Sequence, residues 1–335
     1  MLPPVATTTV GSFPRPGWLA ESQRGEVTFL FQGERLREAQ DDATLLALRR
    51  QEEIGLDLLT DGEQRRSQFI YHVLASLEGI DLANRRAKAI RRRTSHKRLV
   101  PRVIGPISRR APAVVDDLLF AKGHTAHPVK ASVPGPMTVV DSTVDEFYGD
   151  EAALAMDIAA ALNGELLDLQ KAGCDVVQID EPAMTRYHEK VAAYGARSLD
   201  RLLEDVTIPS IVHLCYGYPG GDPLQHEYEY PELLALLMHT RIGGFSLEFA
   251  RSNFDPKQLR LCGEKLVMLG CIDPGNSPPE SVERVAARVR AALNYVEPSR
   301  LLIAPDCGLM TISRELAYAK ARLLVEAARR ARGSL

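Results

Sequence analysis

The sequence predicts an α/β chain folded as one (β/α)8 TIM barrel across residues 1–335, with a long basic insertion between the second and third strands at about 64–128. Three observations carry that expectation. Short apolar or β-branched runs alternate with long amphipathic ones, eight such short runs occur, and most of them end in Gly, Pro or Asp, where a strand hands over to a loop. A doubly wound open sheet is the alternative architecture. It usually needs fewer strands, and no Gly-x-Gly-x-x-Gly fingerprint follows the first run.

The first predicted strand, 6–12, is an Ala-Thr-Thr-Thr-Val run that stops at Gly11-Ser12. The second, 56–61, reads Leu-Asp-Leu-Leu-Thr-Asp before Gly62, and the third, 129–133, runs into Pro134-Gly135. The fourth, fifth and sixth, 175–180, 210–215 and 244–249, are largely apolar runs carrying Asp180, Cys215 and Glu248 at or near their ends. The seventh, 265–272, stops before Asp273-Pro274, and the eighth, 300–305, stops at Pro305-Asp306. Helical patterns occupy 42–54, 151–172, 199–205, 231–240, 280–295 and 313–332. Segment 151–172 repeats apolar residues at intervals of three and four, as a helix packed on a sheet must. Ser313, with Glu315 close behind, opens the last helix.

Composition narrows the functional classes. Hydrophobic residues are 45% and charged residues 25%, the proportions of a globular chain. A net charge of -3 makes no global electrostatic case for nucleic acid. The five cysteines are scattered without disulfide-like spacing, which suits a reducing compartment. The opening Met1-Leu-Pro-Pro-Val lacks the form of a signal peptide, and no apolar run approaches the roughly 18 residues that span a bilayer. The expectation is a cytoplasmic protein with neither a nucleic-acid nor a membrane partner.

In a (β/α)8 barrel the chemistry sits at the C-terminal ends of the strands, and three predicted ends carry soft-metal ligands. His213 and Cys215 are two residues apart on one strand, so their side chains share a face. Glu248 ends an apolar strand, where a carboxylate is costly unless paired or bound to a cation. Cys307 lies in Pro305-Asp-Cys-Gly308, just past the eighth strand. Two thiolates, one imidazole and one carboxylate make a zinc set. Taken singly, each has a plainer reading: a strand His is commonly a satisfied core residue, and a Cys a small buried hydrophobe. Their shared rim is what favours a metal. Cys174, at the opposite rim, and Cys262 read as structural, and Cys271 as a spectator. A zinc site with this negative ligand set is a weak Lewis acid for water, yet it can keep a thiol as the thiolate needed to attack an alkyl carbon.

Residues 85–98 form a strongly basic run without an acid. As a charge run it reads as a solvated arm or a subunit contact. The sharper reading is a clamp for an anionic partner: a polyglutamate tail, a phosphate-bearing corrinoid or an acidic protein surface.

Seven motifs occur in a telling order: Thr9-Val-Gly-Ser-Phe-Pro14, Asp61-Gly-Glu63, Pro134-Gly-Pro136, Gln178-Ile-Asp-Glu-Pro182, His213-Leu-Cys215, Ser246-Leu-Glu248 and Pro305-Asp-Cys-Gly-Leu309. In order and spacing the chain resembles the catalytic C-terminal barrel of cobalamin-independent methionine synthase over nearly its whole length. The resemblance implies a zinc site of His213, Cys215, Glu248 and Cys307. It also implies homocysteine binding by Val10, Gly11 and Ser12, with Glu63 and Asp180 holding the amino group. The chemistry agrees, because a zwitterion needs donors at its carboxylate and acids at its ammonium.

Departures from the family pattern are as informative. This chain has no room for the family's second, N-terminal barrel. The family's folate-holding Trp aligns with Ser142, an acid that contacts folate aligns with Arg186, and the proton-donating His aligns with Asp273. The resemblance therefore implies a zinc methyltransferase acting on homocysteine, with a methylcorrinoid or a methyltetrahydrofolate as donor. Single-barrel relatives that take methyl groups from methylcobalamin or a corrinoid protein are one precedent. A methylcorrinoid leaving group needs no proton, while Asp273 would serve as the acid if its pKa were raised. A homo-oligomer or a docked corrinoid protein would give the basic run a task. Other readings stay open at this point. One is alkyl transfer to coenzyme M, which lacks the ammonium that Glu63 and Asp180 would hold. Others are a non-catalytic zinc- or thiol-binding protein, and a metal-free decarboxylase on the related tetrapyrrole barrel.

Overall fold

In the computed structural model, residues 2–23, 26–89, 97–216, 230–252, 254–275 and 277–333 are described. The strands among them are β1 (Ala6–Thr7), β2 (Ala20–Gln23), β3 (Glu26–Phe29), β4 (Leu77–Lys88), β5 (Arg98–Arg109), β6 (Lys130–Pro134), β7 (Val144–Asp145), β8 (Val176–Asp180), β9 (Ser210–Leu214), β10 (Gly244–Glu248), β11 (Leu266–Ile272) and β12 (Leu301–Pro305). Seven of them form a curled parallel sheet in the order β1-β12-β11-β10-β9-β8-β6.

The predicted second strand closes the ring without becoming a ladder. Leu59 bridges Val129, and the Leu59 N–H donates to Pro128 O at 2.9 Å. On its other side the Asp57 and Leu58 N–H groups donate to Thr7 O at 3.0 and 3.1 Å. The first strand is correspondingly shorter than 6–12. Beyond Thr7 its carbonyls leave the ladder: those of Thr9 and Val10 accept from the Lys130 ammonium, while Thr8 Oγ1 donates to Leu58 O. The expected barrel is therefore present, with its first stave a two-residue ladder on β12 and its second joined by an isolated bridge and backbone bonds outside any ladder.

Sequence parity decides which residues enter the barrel. Val176, Ile211, Met268, Leu302 and Ala304 pack in one inner cluster with Ala6, Val10 and Leu58. Their strand neighbours Val177, Val212, Val267, Leu301 and Ile303 belong to the outer core beneath the helices. Because strand side chains alternate, residues an even number of positions from an inner one also face inward. Gln178 and Asp180 follow Val176 inward, His213 and Cys215 follow Ile211, and Asp306 follows Ala304. Both faces of a parallel barrel strand are covered, which is why its outward positions are apolar too.

The helices supply that cover. Asp150 and Ser313 cap Glu151–Lys171 and Arg314–Arg332 by accepting from the N–H groups of Ala152 and Leu316. The first long helix, Gly33–Ile54, begins ahead of the predicted 42–54, because its first turns are largely polar and exposed and offer only Leu36 and Ala39 to a small side cluster. Within 64–128, β4 and β5 form a long antiparallel hairpin joined by β7, while Val73, Leu74, Leu118 and Ala121 on the flanking helices are buried in the core. Residues 90–96 of the basic run lie outside the described residues. At the hairpin's loop end, Lys88 Nζ donates to Val140 O at 2.9 Å and Thr143 O at 2.6 Å, a cation at the C-terminal end of the helix Pro136–Asp141. Among the described residues no helix is long and apolar enough to cross a membrane.

Candidate metal centre

The ends of β9, β10 and β12 bring four ligand residues together. Nitrogen, sulfur and carboxylate atoms of His213, Cys215, Glu248 and Cys307 all lie within 4.8 Å of one another. The two sulfurs are 3.5 Å apart, and all five cysteines are free thiols. His213, Cys215 and Glu248 are buried, and Cys307 is partly exposed. Burial, with Lys130 adding to it, pushes the His213 imidazole down to about 3, so the ring is neutral and able to ligate. Burial also pushes the Glu248 carboxyl well above its ordinary range, with the neighbouring Cys215 and Asp306 adding to it.

Polar atoms at this corner are left over. His213 Nε2 and both carboxylate oxygens of Glu248 are buried without a hydrogen-bond partner. Such orphans are uncommon in folded proteins and costly, and here three of them converge. The surrounding groups are well held. Ser246 Oγ lies 2.9 Å from His213 Nδ1, which leaves Nε2 as the free nitrogen. Tyr230, fully buried, donates from its hydroxyl to Leu214 O and accepts from the Glu248 N–H at 2.7 Å, so it clips the ends of β9 and β10 together. Asp306 accepts from the N–H groups of Phe249, Ala250 and Arg251 at 3.1, 2.9 and 2.8 Å. The residue before Cys307 thus grips the turn after Glu248.

Beside the metal corner is a second polar group, built around the Asp61-Gly-Glu63 turn. Gly62 and Glu63 both have positive φ, 67° and 54°, a conformation that costs a non-glycine residue energy unless it is held. Here it is held. The Glu63 N–H donates to Asp61 Oδ1, and Arg15 donates to the carbonyls of Glu63 and Arg66. Glu63 Oε1 accepts from Ser132 Oγ at 3.2 Å and lies 3.8 Å from the fully buried Arg66, which itself donates to Ser132 O. A Cβ on Gly11 would sit 2.7 Å from Glu63 Oε1, and one on Gly308 would sit 2.2 Å from Ser12 Oγ. Gly11, Ser12, Glu63 and the Cys307-Gly308 loop therefore touch. Asp180, on β8, accepts from Gln178 Nε2 at 2.7 Å, and burial, reinforced by Glu63, raises its carboxyl to about 7.

Ser142, Arg186 and Asp273 occupy different surroundings. The Ser142 N–H closes the C-terminal end of the helix Pro136–Asp141. Arg186 donates to Pro182 O at 3.0 Å and pairs with Asp141 at 3.1 Å. Asp273 Oδ1 accepts from the Gly275 N–H at 2.8 Å, and its carbonyl takes the buried Lys320 ammonium. Cys174 and Cys262 are buried, with thiols raised to about 11 and about 12 by that burial, and Cys271 is raised further still.

Sequence reasoning passed over Lys130, Arg66, Asp306 and Tyr230. Lys130 had a visible signal, a lone cation inside the otherwise buried run Val129–Val133. Asp306 stood in a recognised motif without a role. Nothing in the local pattern marks Tyr230, whose contacts are all made across the fold.

Residues 5–330 match the family model described as cobalamin-independent synthase, catalytic domain. The methionine synthase of Sulfurisphaera tokodaii is 30% identical over 320 residues, covering 95% of this chain and 90% of that protein. The methionine synthase of Saccharolobus islandicus strain Y.G.57.14 is 32% identical over 339 residues, covering 97% and 94%. Among solved structures, a B12-independent methionine synthase from Shewanella sp. W3-18-1, in complex with selenomethionine, superimposes with a TM-score of 0.93 at 33% identity, covering 99% of this chain and 98% of that one.

Proposed function

The chain belongs to the cobalamin-independent synthase family, as a catalytic domain, and on that premise we propose that it is a zinc-dependent S-methyltransferase that converts homocysteine to methionine. The observation that carries the reading is the convergence of four ligand atoms in which His213 Nε2 and the Glu248 carboxylate have no other partner. A divalent cation would be held by His213, Cys215, Glu248 and Cys307, giving buried groups that lack a partner one to bind, and the sulfur, nitrogen and carboxylate mixture suits zinc. When bound, zinc supplies a thiolate at neutral pH, where a free thiol of pKa about 8.5 is mostly protonated.

The chain's own residues do the positioning. The Val10, Gly11 and Ser12 amides and the Ser12 hydroxyl receive the substrate carboxylate, and Glu63 and Asp180 face its ammonium. The side-chain-free Gly308 lets this polar end lie against the Cys307 loop. The sulfur, having lost its proton, attacks the methyl carbon in line, and the donor atom departs with the bonding electron pair. Burial of His213, Cys215 and Glu248 keeps water from competing. The selenomethionine held by the Shewanella relative is a selenium analogue of the proposed product.

For the donor we favour a methylcorrinoid over a methyltetrahydrofolate. The three positions that the family uses on its folate side hold Ser142, Arg186 and Asp273, and the Arg186 and Asp273 side chains answer to neighbouring backbone or to Asp141. The deciding assay supplies the zinc-loaded protein with homocysteine and either methylcobalamin or methyltetrahydrofolate, and quantifies methionine. Product from methylcobalamin supports the donor assignment, and product from folate alone overturns it. Product from neither, with zinc bound, overturns the methyltransferase reading in its corrinoid and folate forms.

A further inference from the structure

We infer that Lys130 is the positioning residue that sets both ends of the amino-acid site at once, turning the Val10-Gly11 amides toward the substrate carboxylate and aiming Asp180 at its ammonium. The inference deepens the proposed function and rests on its homocysteine site.

Lys130 is 2% exposed and lies on the inner face of β6. Its Nζ donates to Thr9 O at 2.8 Å, to Val10 O at 3.1 Å and to Gln178 Oε1, and it lies 3.7 Å from Met268 Sδ across the barrel. Three oxygen acceptors require three N–H donors, which only the ammonium form provides. Burial pulls its pKa down to about 7, while Asp180 and Glu63 hold it up. The three-acceptor geometry favours the charged state.

Two consequences follow from covalent geometry. In a trans peptide the C=O and the next N–H point in opposite directions. With the Thr9 and Val10 carbonyls drawn down onto Lys130, the N–H groups of Val10 and Gly11 are turned away from it. Neither donates to another described residue. They are a pair of free donors of the kind a carboxylate needs. The second consequence concerns Gln178. Its amide oxygen is taken by Lys130, so its NH2 end must face the other way, and Asp180 Oδ1 receives it at 2.7 Å. One Asp180 oxygen is thereby pinned, and Oδ2 is left for a cation. A lysine that bonded only one of these branches would be a structural bolt; this one connects both ends of the cradle.

The two branches make the test selective. Homocysteine is compared with 3-aminopropane-1-thiol, which lacks the carboxylate, and with 4-sulfanylbutanoate, which lacks the ammonium. The readouts on zinc-loaded full-length protein are KM and kcat for homocysteine, inhibition constants for the two analogues, metal content and melting temperature. Lys130→Met should raise the homocysteine KM about tenfold or more while kcat changes less, and should shrink homocysteine's advantage over both analogues. Gln178→Met keeps the lysine and its backbone bonds, and should shrink only the advantage over 4-sulfanylbutanoate. It carries the test alone if Lys130→Met fails to fold. Retention by Gln178→Met of the full wild-type preference over 4-sulfanylbutanoate overturns the inference, as does an equal loss against both analogues. A wild-type protein with no preference for homocysteine over either analogue overturns the substrate reading itself.

Discussion

The metal corner and the three positions that depart from the family pattern, Ser142, Arg186 and Asp273, are built on opposite terms. At the metal corner, well-held strands present atoms that the fold leaves unsatisfied: His213 Nε2 and both Glu248 oxygens. At the three departing positions, the Ser142 amide closes a helix, Arg186 pairs with Asp141 and Pro182 O, and Asp273 holds the Gly275 amide. The first set leaves buried atoms without a partner, whereas the Arg186 and Asp273 side chains of the second are engaged by the protein itself. Buried polar groups left without partners are kept against a free-energy cost, so they mark where a ligand belongs. By this criterion the metal corner is poised for chemistry, in keeping with the proposed thiol site.

The largest expected effect is at the poised corner. Cys307→Ser should lose most bound zinc and lower kcat/KM by about a thousandfold or more, because the thiol then loses its means of deprotonation at neutral pH. Metal analysis and methionine formation measure the two losses. A variant that retained both would remove the corner from the chemistry. Next comes Asp180→Asn, which should keep its zinc but raise the homocysteine KM by about 10- to 100-fold, the scale of a lost charge-assisted hydrogen bond. Equal loss of zinc would show Asp180 to belong to the metal site instead. Asp306→Asn should weaken zinc by about tenfold, since it loosens the grip on the turn after Glu248 without removing a ligand. A competition titration with a chelator reads that change.

The same contrast has a pH signature. Asp180 is raised to about 7 by burial and then by Glu63. It carries its full charge only above that value, so methionine, which has no thiol to titrate, should bind more weakly as pH falls through about 7. The loss should approach tenfold per unit, and calorimetry on Asp180→Asn should show the step gone. Stability should run the other way. The folded chain holds the Asp180 proton more tightly than an unfolded chain with its ordinary 3.8, so this group costs stability above about 7, and the cost fades as pH drops toward 3.8. At pH 8 the Asn variant should therefore melt at a higher temperature than the parent.

Much of this was legible in the sequence, for physical reasons that differ by region. The barrel could be read because parallel strands buried on both faces leave short apolar runs ending in Gly, Pro or Asp, as in Val176–Asp180 and Leu301–Pro305. The metal ligands could be read because parity puts His213 and Cys215 on one face. The ring closure near Leu59 and the early end of β1 could not be read so directly, since both depend on Lys130 and Thr8 reaching across about fifty residues or more of chain. Positioning groups were the hardest. Tyr230 and Asp306 act through contacts between strands, and periodicity along one strand carries no trace of a partner on another.

The smallest expected effect is also the sharpest check on the comparison. Asp273 aligns with a proton-donating His of the family, so an acid there would matter if the leaving group needed a proton. Its carboxylate is instead the acceptor for the Gly275 N–H, with Ser277 Oγ 3.4 Å away. Asp273→Asn keeps an oxygen for that turn and removes only the acid. With methyltetrahydrofolate as donor, whose leaving group needs the proton that a methylcorrinoid's does not, a turn acceptor predicts a kcat within about threefold of the parent. A general acid predicts a loss of about a hundredfold or more. The large loss, with turn and fold intact, would place a working acid among residues that the structure shows internally engaged. The rule that only unsatisfied groups are poised for chemistry would then fail at this rim, and the folate donor would regain its claim.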